Sequence, residues 1–379
     1  MRAAVLVDVG CIEVRDVPRV DPGPYEVVVR VEATGLCGTD VQIVAGHANY
    51  NLDGLGRTRS LRESPQILGH EITGVVEELG RDVNDLARGD RVIVDQGRTC
   101  VSDHRDIVCE YCRSGDSHQC EHYDEHGITG RPGGFAEFVT VPAANAIPLR
   151  SALPPEQAAL AEPLGCILHS MEMVDRAASR FHITGGAAAG ASAVLVCGGG
   201  PAGLLFVQFL RSVMHFDGTV LVSEPNALKR SLAERWGAET IDPGAGGFVE
   251  AVRQRTGGRG VELLIEASGS GPLFRDIPSL IRKQATVLLY GHGHSGVELG
   301  VMNHVQFREP TLIAPAGASG GHDASGRPLT YLRALQLLEE GIVDVAPIIT
   351  HRYTSLDDVP RAFGGEHRMA DYVKGVLIQ

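Results

Sequence analysis

The stretch VLVCGGGPAG, residues 194–203, sets an apolar run against a glycine-rich turn and then a helix-forming continuation, LLFVQFLRSV. Gly198, Gly200 and Gly203 stand in the GxGxxG arrangement, with Pro201 and Ala202 between the last two. Each glycine meets a steric demand: the first allows a tight turn, the second lets the backbone approach a pyrophosphate, and the third lets the helix sit close to the strand. Unpaired N–H groups at the helix start then face the anion. A plain tight turn could use the same glycines, so the next strand matters. Glu224 closes that run, TVLVSE, 21 residues after Gly203. An acidic side chain there accepts hydrogen bonds from ribose hydroxyls and repels a 2′-phosphate, which favours NAD over NADP. Lys229 and Arg230 follow closely and leave NADP open, although they equally suit a solvated helix face.

Around this turn the chain alternates strand and helix: GTVLVSEPN, ALKRSLAERWG, VELLIEASG and ATVLLYGHG. Strands so uniformly apolar are buried on both faces, which predicts an α/β unit with a doubly wound parallel sheet. Residues 1–150 read differently. RAAVLVD, EVVVRVEATG, ITGVVEEL, DRVIVD and FAEFVTVP are short runs broken by Gly, Pro and Asp, as in a mostly antiparallel, barrel-like domain. YLRALQLLEEG predicts a late helix and DYVKGVLIQ a last strand, while 47–65 and 320–328 read as long irregular loops.

Length and charge agree with two domains. A chain of 379 residues exceeds what one core usually serves, and 43% apolar residues can fill two. The net charge of −13, with no basic tract, excludes nucleic acid and anionic membrane as partners. The N-terminus turns acidic early and no apolar run reaches the roughly 18 residues of a membrane span, so a cytoplasmic protein is expected.

Four of the eight cysteines, Cys100, Cys109, Cys112 and Cys120, fall within 21 residues. Four thiolates complete a tetrahedral zinc site and leave no position for substrate, so this set predicts a structural clamp. His104 and Asp106 are alternatives to Cys100. A second set is dispersed: Cys37 in GLCGTD, His70 beside Glu71 in LGHE, and Glu162 in AEPLGC with Cys166 one helical turn later. One thiolate, one imidazole and one carboxylate leave a fourth position open, which is the arrangement of a catalytic zinc. Singly, each of these residues is ordinary, and a lone Cys is usually a small buried hydrophobe.

With GLCGTD, ILGHEITGVVEELG, GDRVIVD, the cysteine lobe, GGFAEFVTVP, AEPLGC, CGGGPAG and YVKGVLIQ in this order, the chain resembles the zinc-dependent medium-chain dehydrogenase/reductase family. These are the alcohol, polyol, sugar and threonine dehydrogenases. The resemblance implies a GroES-like catalytic domain with a structural zinc lobe over 1–160, a Rossmann dinucleotide-binding domain over 161–309, and a return segment over 310–379 that completes the first. It implies hydride transfer between a secondary alcohol and NAD, and a homodimer or homotetramer. It assigns catalytic zinc to Cys37, His70 and Glu162, with Glu71 as neighbour or alternate, and structural zinc to Cys100, Cys109, Cys112 and Cys120. Thr39 would pass the proton outward and Asp40 would orient the ligands. The EPL phrase suits the polyol, sugar and threonine branches, which makes Cys166 a second choice for third ligand. An NADP-dependent aldehyde or ketone reductase, and a non-catalytic dinucleotide-binding protein, are the competing readings.

The departures are specific. Gln42 stands where the classical alcohol dehydrogenases often carry a relay histidine, and His47 is a possible replacement. VSDHRDIV separates Cys100 from Cys109, where the family uses a shorter spacing. The enlarged loop before His70 carries Arg57, Arg59 and Arg62, from which recognition of an anionic or heavily hydroxylated substrate is expected. His292 and His294 follow VLLYG at the carboxyl end of a strand, where ligands gather in such sheets.

Overall fold

The computed structural model describes residues 1–183 and 190–379 and divides into two compact units. The first comprises Met1–Cys166, Gly317–Gly341 and Ile349–Gln379; the second comprises Ile167–Ala316 and Ile342–Ile348. The boundaries expected at 160 and 309 thus lie several residues later, and the return segment lends 342–348 to the second unit. The first boundary falls inside one continuous helix, Ala161–Arg176, which gives no local break to read. No helix among the described residues is long and apolar enough to cross a membrane.

The second unit is a six-stranded parallel sheet in the order Glu239–Ile241, Thr219–Ser223, Ala193–Cys197, Val261–Glu266, Ile281–Leu289, Thr311–Ile313. Ala193–Cys197 and Val261–Glu266 are buried along their whole length, as a sheet covered on both faces requires. Leu195, Leu221, Val252, Leu264, Ile277 and Val287 share one core. The order reverses at Ala193–Cys197, so the glycine turn after it lies at the switch point, the place for a dinucleotide in a Rossmann fold.

The first unit, the GroES-like part, is built on the strand Glu26–Gly35, which pairs with Glu71–Leu79, Phe138–Pro142 and Lys374–Ile378, all antiparallel. Gly35 stands opposite both Glu71 and Val376. This register gathers the end of one strand, the start of the next and the last strand of the chain. Cys37, His70 and Lys374 flank those points, so the pairing itself assembles the site described below.

The 47–65 loop is pinned by its own polar groups. Arg57 pairs with Asp53 at 2.7 Å, Arg62 with Asp8 at 2.6 Å, and Arg59 Nε donates to the Leu52 carbonyl. The arginines expected to meet an anionic substrate thus each have a partner, while Arg57 and Arg62 stay largely exposed.

Candidate active site

The GroES-like unit brings Cys37, His70 and Glu71 together, with one donor atom from each within 4.8 Å of the others. Cys37 precedes the helix Gly38–Val44 and Asp40 returns to it: the Cys37 amide donates to Asp40 Oδ2 at 2.9 Å, and the Gly69 amide to Oδ1 at 3.2 Å. His70 Nδ1 lies 3.4 Å from the same Oδ1. This is a charge contact rather than a hydrogen bond, Nδ1 having no hydrogen-bond partner among the described residues, and it sets Nδ1 towards Asp40 and leaves the other nitrogen for a ligand. Burial alone would lower the His70 pKa, but the charges of Asp40 and Cys37 hold it well above its usual range in the metal-free protein.

Glu71 is fully buried, with Oε1 at 2.5 Å from Lys374 Nζ and Oε2 without a hydrogen-bond partner. Room for it comes from Gly35, where a Cβ would fall 1.8 Å from Oε2. Glu162 is placed differently. It lies outside the compact three-residue set, where it accepts hydrogen bonds from Gln96 Nε2 at 3.1 Å and the Cys166 thiol at 3.3 Å. Burial pushes its carboxyl up to about 7, against the lowering pull of His70. Burial and the Glu162 charge push the Cys166 thiol up as well, which keeps it a proton donor to Glu162. Gln96 is held in turn by a short hydrogen bond from the buried Tyr331 hydroxyl. Spacing gave Gln96, Tyr331 and Lys374 no role at this site, because Tyr331 meets Gln96 across 235 positions and Lys374 meets Glu71 across 303.

Thr39 Oγ1 lies 3.8 Å from Cys37 Sγ, and exposed His47 meets Gln42 Oε1 through Nδ1 at 3.2 Å. The structure therefore couples His47 to the residue that stands in the relay position.

A second donor set is closed. The sulfurs of Cys100, Cys109, Cys112 and Cys120 lie within 4.8 Å of one another, all four residues are buried, and none is in a disulfide. Asp106 and His104 are exposed on the turn formed by the inserted residues, away from this cluster. Burial raises the Cys109 thiol, but amide hydrogen bonds from Cys112 and Glu121 outweigh it and bring the pKa down to about 6. Four thiols this close cannot all ionise without a cation among them, and tetrahedral zinc answers that demand. His118 ties the lobe to the return segment by accepting the Ala318 amide at Nδ1, 2.9 Å.

In the Rossmann unit, Gly198 takes φ +103°, which a side chain would strain, and a Cβ on Gly203 would strike the Gly198 carbonyl at 1.9 Å. A Cβ on Gly200 would meet nothing within 4 Å, so open space faces that backbone where a pyrophosphate fits. Pro201 opens the helix Pro201–Gln208, with Ala202 beside it. Glu224 is buried and accepts the Gly199 amide at 2.7 Å and the Asn226 amide at 2.8 Å. Arg230 is occupied by the Glu224 and Pro225 carbonyls and by Asp242, while Lys229 lies in the first turn of the helix Ala227–Arg235. His294 Nε2 meets buried Glu266 at 2.6 Å; His292 is exposed.

Two family models match the chain: the alcohol dehydrogenase GroES-like domain over residues 23–151 and the zinc-binding dehydrogenase domain over 201–341. An L-threonine 3-dehydrogenase of Pyrococcus furiosus is 33% identical over 349 residues, covering 92% of this chain and 89% of that protein.

The chain belongs to the zinc-dependent medium-chain dehydrogenase family.

Among solved structures, one from Sinorhizobium meliloti 1021, described as a zinc-binding dehydrogenase bound to NADP, shares 32% identity at a TM-score of 0.80 and covers 100% of this chain and 99% of that one. An alcohol dehydrogenase from Aeropyrum pernix shares the fold, with a TM-score of 0.81 at 24% identity over 100% of each chain. This medium-chain dehydrogenase is thus an oxidoreductase of CH–OH groups that uses zinc and NAD(P). Its open and closed donor sets have the chemistry that zinc requires, a soft thiolate with imidazole and carboxylate in one and four thiolates in the other.

Proposed function

We propose that this dehydrogenase oxidises a functionalised secondary alcohol, a polyol, a sugar or a hydroxy amino acid such as L-threonine, with NAD as acceptor. The observation that carries this reading is the compact set of Cys37, His70 and Glu71, in which Glu71 is already paired with Lys374, with Glu162 close enough to feel the charge of His70; three protein ligands drawn from these four leave one position of a zinc shell open. Zinc held there would acidify a substrate hydroxyl, and bound NAD would accept the hydride.

Two indications compete for the third ligand. Distance favours Glu71, which lies in the compact set; charge favours Glu162. We give charge the greater weight, because Glu71 is already balanced by Lys374, whereas the hydrogen-bond partners of Glu162 among the described residues are the neutral Gln96 and Cys166. Cys37, His70 and Glu162 then hold the ion, and Glu71 remains their neighbour. Thr39 takes the substrate proton beside the Cys37 sulfur, and His47, exposed and braced by Gln42, offers it a way to water.

NAD rather than NADP is supported by Glu224, whose carboxylate lies against the glycine turn at Gly199, and by Arg230, whose guanidinium is bound to two carbonyls and Asp242. The NADP in the S. meliloti structure motivates the second reading, an NADP-dependent carbonyl reductase. Cys100, Cys109, Cys112 and Cys120 carry the structural zinc, and the protein works in the cytoplasm as a homodimer or homotetramer. The test is nicotinamide absorbance with zinc-loaded protein, NAD or NADP, and a panel of L-threonine, polyols, sugars and sugar acids. Zinc-dependent turnover with NAD is expected; turnover unaffected by zinc removal, or confined to NADP and carbonyls, contradicts the reading.

A further inference from the structure

The Rossmann unit carries a cavity of about 610 Å³ whose wall presents Arg180, Arg259, Arg282, Lys283 and Arg308 against a single carboxylate, Glu309. Five cations at one place are not a matter of composition in a chain of net charge −13. Their position follows from the sheet. Arg259 precedes the strand Val261–Glu266, Arg282 and Lys283 open Ile281–Leu289, and Arg308 precedes Thr311–Ile313. All these strands are parallel, so the cavity lies at their amino ends, whereas the glycine turn follows the carboxyl end of Ala193–Cys197. A five-residue strand spans roughly 17 Å, which separates this cavity from the cofactor phosphates.

The backbone is shaped to present the charges. Across the strand pair the register passes from Val261↔Ile281 to Leu263↔Thr286, so the second strand holds three more residues than its neighbour. Arg282, Lys283 and Gln284 lie in that bulge, the kind of irregularity that redirects side chains beside a site. Gln284 takes φ +61° and Glu309 φ +48°, conformations that non-glycine residues seldom adopt, and the two are joined through Gln284 Nε2 and Glu309 Oε2 at 3.1 Å. The Gln284 amide also donates to the Arg308 carbonyl at 2.6 Å.

Two guanidiniums are fixed in place before any ligand arrives. Arg282 pairs with buried Glu262 at 2.5 Å and lies 4.7 Å from the centre of the Phe181 ring. Arg180 donates to Gln284 Oε1 at 2.9 Å and lies 5.7 Å from the same ring. Arg259, Lys283 and Arg308 make no side-chain ion pair among the described residues. The geometry points to a second ligand site on this protein, one that takes a small phosphate-bearing anion with several negative charges. Guanidinium forks match phosphate oxygens, and the single carboxylate in the wall, Glu309, leaves most of the positive charge in the cavity unbalanced.

The test titrates tripolyphosphate calorimetrically into the zinc-loaded full chain, with saturating NAD present to fill the glycine turn. Citrate is titrated separately, to distinguish phosphate chemistry from negative charge alone. Saturable binding of tripolyphosphate is expected, with citrate weaker. In the Arg259→Glu/Lys283→Glu/Arg308→Glu variant it should weaken roughly tenfold or more. An equal charge change at exposed positions of the other unit, Arg150→Glu/Arg333→Glu/Arg368→Glu, should leave it intact. Arg282 stays unmutated, since losing it would strand buried Glu262. Absence of tripolyphosphate binding to NAD-saturated protein, or equal binding to both variants, overturns the inference. So does a change of assembly mass in the cavity variant with tripolyphosphate binding unaltered, because the cavity would then be a contact between copies of the chain.

Discussion

Lys374 Nζ lies 2.5 Å from Glu71 Oε1 in a fully buried ion pair between residues 303 positions apart in the chain. The last strand delivers that ammonium, and the register of Val376 with Gly35 and of Gly35 with Glu71 sets it beside the donor cluster. Lys374 Nζ also donates to the Leu36 carbonyl at 2.9 Å, next to Cys37. One side chain thus offsets a buried carboxylate and braces the turn that carries the thiolate.

Lys374→Met should destabilise the protein by about 3–5 kcal/mol, because Glu71 is left charged and buried without its partner. Lys374→Met/Glu71→Gln should recover much of that loss in urea unfolding. Burial would lower the Lys374 pKa, but Glu71 and Cys37 raise it above the ordinary lysine value. A folded pKa raised above the unfolded value means a contribution present in full below about 10.4 and lost only as pH rises through the raised value. The penalty of Lys374→Met should therefore be alike at pH 6 and pH 9.

Zinc removal should make stability depend on pH. Burial pushes the Glu162 carboxyl up to about 7 in the metal-free protein, above the ordinary glutamate range, so folding favours its protonated form. Stability from this group is greatest below the unfolded value and declines as pH rises towards 7, by an amount on the order of 3 kcal/mol. His70, raised for a different reason, acts in the same direction, since its contribution is lost as pH rises through its elevated pKa. Chelated protein should melt at a lower temperature at pH 8 than at pH 5, zinc should remove much of the difference, and Glu162→Gln should flatten the chelated profile. Higher stability at pH 8 after chelation would contradict this.

Cys100→Ser should release one zinc of about two per chain and lower the melting temperature, because the closed set loses a thiolate. Asp106→Ala, at an exposed position, should change neither. Metal content by atomic emission compares the two variants directly.

Glu224→Ala should lower kcat/KM with NAD by roughly tenfold and raise it with NADP, since the acceptor for the ribose hydroxyls and the repulsion of a 2′-phosphate are lost together. A variant that keeps the parental NAD-to-NADP ratio would show that Glu224 does not choose the cofactor.

What could be read in the sequence depended on how local the constraint was. The glycine turn was legible because Gly198, Gly200 and Gly203 answer steric demands within six residues, and GLCGTD and LGHE carried the Cys37 and His70 positions through the family resemblance. Lys374 and Tyr331 were not, because each reaches the site across more than 200 positions with an ordinary side chain. Arg57 and Arg62 looked free in sequence; Asp53 lies four residues away, but Asp8 is reached only through the fold. The bulge at Arg282–Gln284 was hidden for a related reason, since it lies just before ATVLLYGHG, the run read as a strand, and only the neighbouring strand reveals three surplus residues.

Anomalous diffraction at the zinc edge, from crystals of fully metallated protein, tests the central claim most directly. The account predicts one peak among Cys100, Cys109, Cys112 and Cys120, and a second coordinated by Cys37, His70 and Glu162 with a position left for a non-protein ligand. A single peak in the cysteine lobe, or a second peak remote from Cys37 and His70, would contradict it.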